Sequence, residues 1–203
     1  MHLEFLVEEE SAEAALQNLV PKIVGPGISF AFHVHQGKRD LLSKLPGRLR
    51  GYRRWLLEDW RIVTLVDEDR QDCKELKTEL ERFASVAGMR TQSQVPPGSE
   101  FQVLNRLAIE ELEARFFGDI DALVAAFPKI PKALGKRSRF RNPDAIKGGT
   151  WEALEQVMKE AGYYPSGLPK IEVARKVSEQ MVPDRNRSRS FQIFREGLKR
   201  MMV

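Results

Sequence analysis

The most constraining stretch of this 203-residue chain is residues 61–66, where Ile62, Val63, Leu65 and Val66 make a near-continuous apolar run that stops abruptly at Asp67-Glu68-Asp69. A strand with one wet face alternates apolar and polar side chains. An unbroken apolar strand needs cover on both faces, as in a parallel sheet layered between helices. The neighbouring segments agree. Residues 3–7 and 28–35 read as strands, and residues 101–109 as a fourth, with a helix from Ala108 onward as the alternative. Between them, residues 11–19, 39–57 and 71–87 carry apolar side chains at helical spacing. Pro21 and Gly25-Pro26-Gly27 are expected to end the first helix, and Pro46-Gly47 to kink or split the second. Strands separated by helices imply an α/β fold with a parallel sheet and right-handed crossovers.

Beyond Gly118 the strand signal disappears. Residues 120–126, 151–161, 170–181 and 190–202 read as helices, and residues 128–149, rich in Pro, Gly and Lys/Arg, as a surface excursion. The expected organisation is an α/β core over residues 1–118 and a helical extension over residues 119–203, packed back on the core as one structural unit. Apolar residues at 42% and charged residues at 31% suit a globular chain and exclude wholesale disorder. No run approaches the roughly 18–20 apolar residues that span a bilayer. The first residues lack the basic-then-apolar order of a signal peptide. A single cysteine, Cys73, excludes an intrachain disulfide framework and a multi-cysteine zinc site, and a cytoplasmic setting is expected.

The net charge of +4 is unevenly spread. Residues 1–100 hold 14 Lys/Arg against 16 Asp/Glu, and residues 101–203 hold 19 against 13. An acidic half beside a basic half suits a polyanion held near a metal, and equally an ordinary solvated surface.

In a parallel sheet the loops leaving the C-terminal strand ends form the binding crevice. Glu8 leaves the first strand there, and Asp67 and Asp69 leave the third. If residues 67–69 stay extended, the two aspartates share one side. Carboxylate oxygens are the ligands Mg²⁺ prefers, so Glu8, Asp67 and Asp69 are candidate holders of Mg²⁺ or Mn²⁺. The competing reading makes these acids helix-starting groups, with Asp69 or Asp72 capping the following helix.

These residues resemble the Toprim domain of topoisomerases, bacterial primases and overcoming-lysogenization-defect nucleases. That domain also places a glutamate after its first strand and Asp-x-Asp after a later one. More closely, the chain resembles a bacterial family of Toprim-like proteins known from sequence. Stretches 37–42, 66–69 with Asp72-Cys73, 110–114, 117–119, 142–146 and 187–191 carry this likeness. It implies a Toprim-like sheet with helical additions, a Mg²⁺-dependent nuclease or phosphoryl-transfer activity on nucleic acid, and a role in phage defence beside an ATPase partner. Where Toprim proteins carry Glu-Gly, this chain has Glu8-Glu9-Glu10, so Glu9 must take the turn with a side chain, or the turn differs.

Further candidates follow. Glu113, opening Glu-x-Arg-Phe-Phe-Gly-Asp, is the fourth acid, as ligand or general base; its plainer reading is an acidic first turn. Lys38 after Gly37, Lys170 at a helix start, and Arg187 with Ser188 before the last helix are candidate phosphate contacts, against turn and cap roles. His33 and His35 at i, i+2 could share a face but lack a third metal ligand. Lys136, Arg137, Arg139 and Arg141 around Phe140 could bind a single strand by charge and stacking, or form a solvated loop. Two non-enzymatic functions compete with the nuclease: a subunit docking on an ATPase, and a nucleic-acid-binding module without chemistry.

Overall fold

The computed structural model describes residues 1–69 and 71–202. Its centre is a four-stranded sheet, all parallel, of β1 (His2–Val7), β2 (Ser29–Val34), β3 (Trp60–Asp67) and β4 (Val103–Ala108), in the order β2-β1-β3-β4. Parallel neighbours require crossovers, and three helices supply them: α1 (Glu10–Val24), α2 (Lys38–Trp55) and α3 (Cys73–Val86). The alternation of inward side chains assigns each helix a face. Leu3, Phe5 and Val7 of β1, with Val63 and Leu65 of β3, pack with α1 in one cluster. Leu6, Ile62 and Val66 pack with Leu41, Leu45 and Leu49 of α2 and Leu76 and Leu80 of α3 in the other. β3 is therefore apolar on both sides because both sides are covered. From β1 the chain moves outward one way to β2, and from β3 it moves the other way to β4. The gap between the C-terminal ends of β1 and β3 is the switch point, where ligands bind in open α/β sheets.

The C-terminal half contributes α4 (Ala114–Phe117), α5 (Ile120–Ala126), α6 (Thr150–Glu160), α7 (Lys170–Gln180) and α8 (Arg189–Met201). α7 lies on α1, and Val173, Ala174, Val177, Phe191, Phe194 and Leu198 of α7 and α8 join the α1-side cluster. Lys22, in the last turn of α1, donates to the carbonyls of Ser178, Glu179 and Met181 at 3.0, 2.6 and 3.0 Å. It thereby caps the C-terminal end of α7.

Three sequence expectations need correction. Pro21 does not end α1, which runs through it to Val24. Leu19, Val20 and Ile23 on either side are buried, so packing carries the helix past the missing N–H. Termination falls to Gly25, whose φ of +81° suits glycine and whose N–H bonds Pro21 O. α2 likewise is not split at Pro46 and Gly47 but runs as one helix through them. Residues 128–149 lie at the surface, as expected, but are anchored to the core rather than free of it. They form three short 3₁₀ turns that bury Leu134, Phe140 and Ile146, and Phe140 stacks on Phe117 with ring centroids 4.9 Å apart. Phe140 is thus spent inside the core, and the reading of it as a base-stacking platform among Lys136, Arg137, Arg139 and Arg141 fails.

Candidate functional site

The site forms where β1 and β3 end side by side. Val7 of β1 pairs with Leu65 of β3, so the chain leaving β1 emerges beside Val66 and Asp67. Glu8 turns its carboxylate across this gap and accepts the Asp67 backbone N–H at 2.8 Å. Its own carbonyl accepts the Gly37 N–H at 3.0 Å, binding the turn after β2 to the same edge. Glu8 is only 7% exposed. Burial first, and the charge of Asp67 second, push its carboxyl up to about 8.

Asp67 is the last residue of β3 and pairs with Ala108 of β4. Burial and the charge of Asp69 push it up to about 7, against the opposing pull of Arg115 and a backbone bond from Leu112. Glu113, buried just before α4, is pushed up to about 8 by burial and then by the Asp67 charge. Lys170 pulls the same group back down. Glu8 and Glu113 are thus each coupled to Asp67, while Lys38, Arg115 and Lys170 pull Glu8, Asp67 and Glu113 back down in turn.

Asp69 departs from expectation. The stretch does not stay extended: Asp69 has a φ of +49°, and its N–H is drawn to Glu110 O at 3.0 Å while the N–H of Glu68 bonds Ala108 O. The period-two alignment of Asp67 with Asp69 is thereby broken. The Asp69 carboxylate lies 3.0 Å from Lys38 Nζ, which also donates to Glu68 O at 2.8 Å. Lys38 thus sits at the acidic edge as a local counter-charge. The cap of α3 is Asp72, which accepts the N–H groups of Lys74 and Glu75.

The phosphate candidates separate. Lys170 stays near the acids, 3.7 Å from Glu9 and 4.6 Å over the Trp151 ring. With Glu9, Glu10, His35 and Gly37 it lines an open cleft of about 640 Å³. Arg187 lies elsewhere, exposed beside Gly118, Lys132, Lys136 and Arg185 around a 260 Å³ hollow. Ser188 is buried; its hydroxyl caps α8 at Phe191 N and donates to Asp144 at 2.7 Å. The histidines also part. His33 bonds Glu4, while His35, just past β2, bonds Val7 O through Nδ1, and burial lowers its pKa.

Arg115 is the residue that sequence reasoning missed. It is fully buried, and Nε, Nη1 and Nη2 have no hydrogen-bond partner among the described residues. The guanidinium lies 4.6 Å over the Phe194 ring and 5.7 Å from that of Phe191, and its charge acts on Asp67 and Asp144. The sequence carried a signal: one arginine inside the apolar run Ala114-Arg115-Phe116-Phe117.

No curated protein matches the chain, and no solved structure does. A family model does match, over residues 7–199, which takes in Glu8, Asp67, Asp69, Glu113 and all of the C-terminal helices. The chain belongs to that family, described as Domain of unknown function (DUF4276).

Proposed function

We propose that the chain is a Toprim-like, divalent-metal-dependent nuclease or related phosphoryl-transfer enzyme acting on nucleic acid. The observation that carries this reading is the placing of Glu8 against the Asp67 N–H at the switch point, with Glu113 within reach of the Asp67 charge, where burial above all holds the three carboxyls protonated up to about pH 7 to 8. Acids so placed gain from a cation, and their hard oxygen donors suit Mg²⁺ or Mn²⁺.

Among the described residues, no three His, Cys, Asp or Glu side chains already converge as a metal cage. Mg²⁺ needs no such cage: one or two carboxylates hold it, and water and substrate phosphate oxygens complete its shell. The donor set therefore fits, with Glu8 and Asp67 as holders and Asp69 available once Lys38 releases it. The ion would supply polarisation of a phosphoryl group and a more acidic bound water.

The chain's own groups do the rest. An ionised Glu8 would either hold the ion or take a proton from an attacking water, and Glu113, kept protonated by its burial, can return one to a leaving oxygen. Arg115 favours the ionised form of Asp67 through its charge. Lys170, at the cleft wall, can steady a phosphate. By the same resemblance, phage defence beside an ATPase partner is the proposed setting.

Calorimetric titration of Mg²⁺ and Mn²⁺ tests this. The expected result is a saturable site, absent in Asp67→Asn, that tightens between pH 6 and 8.5 because protons must leave first. Cleavage of nucleic acid should then disappear in folded Asp67→Asn and Glu8→Gln. Absence of saturable heat at pH 8.5, with and without an oligonucleotide, removes the metal reading. One observation favours a binding module without chemistry: Lys38 already neutralises Asp69. That reading expects nucleic-acid binding indifferent to chelator.

A further inference from the structure

α2 carries seven Lys/Arg and one Asp, a net charge of +6 on 18 residues of the more acidic half. Among the described residues two of those cations have a carboxylate partner: Lys38 with Asp69, and Lys44 with Asp40. Among the described residues, Arg39, Arg48, Arg50, Arg53 and Arg54 pair with no carboxylate. Leu41, Leu45, Leu49 and Tyr52 face the sheet, which leaves the arginines on the outward side. Residues 39, 43, 47, 50 and 54 follow one another at helical spacing along it, and residues 44, 48, 51 and 55 form the adjoining row.

Two further features mark this face. Gly47 and Gly51 sit inside the helix with helical backbone, and a Cβ at either would meet nothing within 4 Å. Glycine is the poorest helix former after proline, and no packing within the chain requires it at these positions. Their absent side chains leave the backbone open to close approach between the arginines. Trp55, at the end of the same face, is 54% exposed although its ring is held by Tyr52 and Trp60 at 5.1 and 5.8 Å. Beside it, Glu4, His33, Arg48, Gly51 and Tyr52 line a 280 Å³ hollow. Glu4 in its floor accepts from His2, His33 and Tyr52, so it does not face the hollow as a bare anion.

Unpaired arginines in a row, open backbone between them and a fixed exposed aromatic at one end match a single nucleic-acid strand. Phosphates meet the guanidinium groups and a base stacks on the ring. The helix spans about 27 Å. It starts beside Asp69 at Lys38 and ends against Trp60 at the opposite end of the sheet. We propose that the outward face of α2 is a single-strand binding track, with Arg39, Arg48, Arg50 and Arg54 on phosphates and Trp55 under a base, leading the strand to the acidic edge. This rests on the nucleic-acid part of the function above and not on the metal.

The test is anisotropy of a labelled 20-nucleotide single strand on the full chain, in EDTA so that no cleavage intervenes, as a function of salt. Binding should weaken with a log–log slope of about −3 if four phosphates are engaged. Arg50→Ala/Arg54→Ala should weaken it about tenfold and flatten the slope by about 1.4. Trp55→Ala should weaken it by about fivefold or more, with Trp55→Phe recovering most of the loss. Circular dichroism should report unchanged folding, since all three side chains are exposed. A blunt duplex should bind less tightly than the single strand.

Equal binding by the arginine variant, with loss instead in Lys132→Ala/Lys136→Ala, overturns the track and leaves nucleic-acid recognition standing on the C-terminal half. Equal or tighter binding of the duplex overturns the single-strand assignment. Failure of the wild type to bind any oligonucleotide at low salt overturns both the track and nucleic-acid recognition. The metal site is judged separately by its own titration.

Discussion

Arg115 holds a full charge where none of its guanidinium nitrogens finds an acceptor among the described residues. Burial lowers its pKa to about 10, so it remains protonated at neutral pH. A buried ion held only by long-range attraction and two aromatic faces adds little to stability, and an apolar residue of similar length can replace it without loss. Arg115→Met is therefore expected to melt within about 1 kcal/mol of the wild type or above it. The pKa of Asp67 should rise by about one unit, measured by carbon-detected NMR titration. A loss of more than about 3 kcal/mol would instead make Arg115 a structural ion.

The neighbouring acids give a pH dependence of definite sign. Glu8 and Glu113 titrate near 8 in the folded chain, against an ordinary value of 4.5. Between those pH values the folded state keeps protons that the unfolded state has released. Their contribution is most favourable below about pH 4.5 and is lost as pH rises toward 8. Thermal melts of metal-free protein should thus show this loss between pH 5 and 8.5. Glu8→Gln, which keeps an oxygen for Asp67 N–H, should gain on the order of 1–3 kcal/mol relative to wild type at pH 8.5 and little at pH 5. Saturating Mg²⁺ should flatten the wild-type slope.

At the scale of elements, much of the core was legible. The apolar run of β3 announced a sheet covered on both faces, and the acids at the ends of β1 and β3 fell at the switch point because strand order places those two ends together. Local rules failed where distant packing outweighed them. Pro21 stops an isolated helix, but here Leu19, Val20 and Ile23 hold the chain in place on both sides. Asp69 leaves the extended path because its N–H meets Glu110 O, a partner 41 residues away that no local pattern announces. The Pro/Gly-rich 128–149 stretch reads as a loop by composition, yet Leu134, Phe140 and Ile146 anchor it.

Asp119 shows the same long reach. It is 2% exposed, caps α5 at Ala122 N, accepts Val182 N at 2.9 Å, and takes two bonds from Arg185 at 2.9 and 3.0 Å. It ties α5 to the loop between α7 and α8. Asp119→Ala strands these donors together and should cost about 3 kcal/mol in urea unfolding, whereas Asp119→Asn, which keeps part of the cap, should cost less.

At the scale of the molecule, the α1-side cluster draws on both halves of the chain. Phe5, Leu16 and Leu19 share it with Val173, Val177, Phe191 and Phe194. A chain stopped at Gly118 would expose the outer side of α1 and the flank of β4 that α8 covers. It is expected to aggregate or stay unfolded in size-exclusion and circular-dichroism measurements, since both of its faces need cover. A well-folded 1–118 fragment would refute this.

Glu111 adds another connection between the halves. Its carboxylate takes the Thr150 hydroxyl at 2.9 Å and the Trp151 N–H at 2.7 Å, so it grips the start of α6. Two residues further on is Glu113, and two beyond that Arg115. Trp151 in turn lies beneath Lys170, whose charge reaches Glu113. The stretch from Glu111 to Arg115 thus joins the start of α6 at one end to a buried acid and a buried cation at the other. A lineage could retune the proton affinity of its acids by exchanging Thr150 or Trp151, with every acid left unaltered.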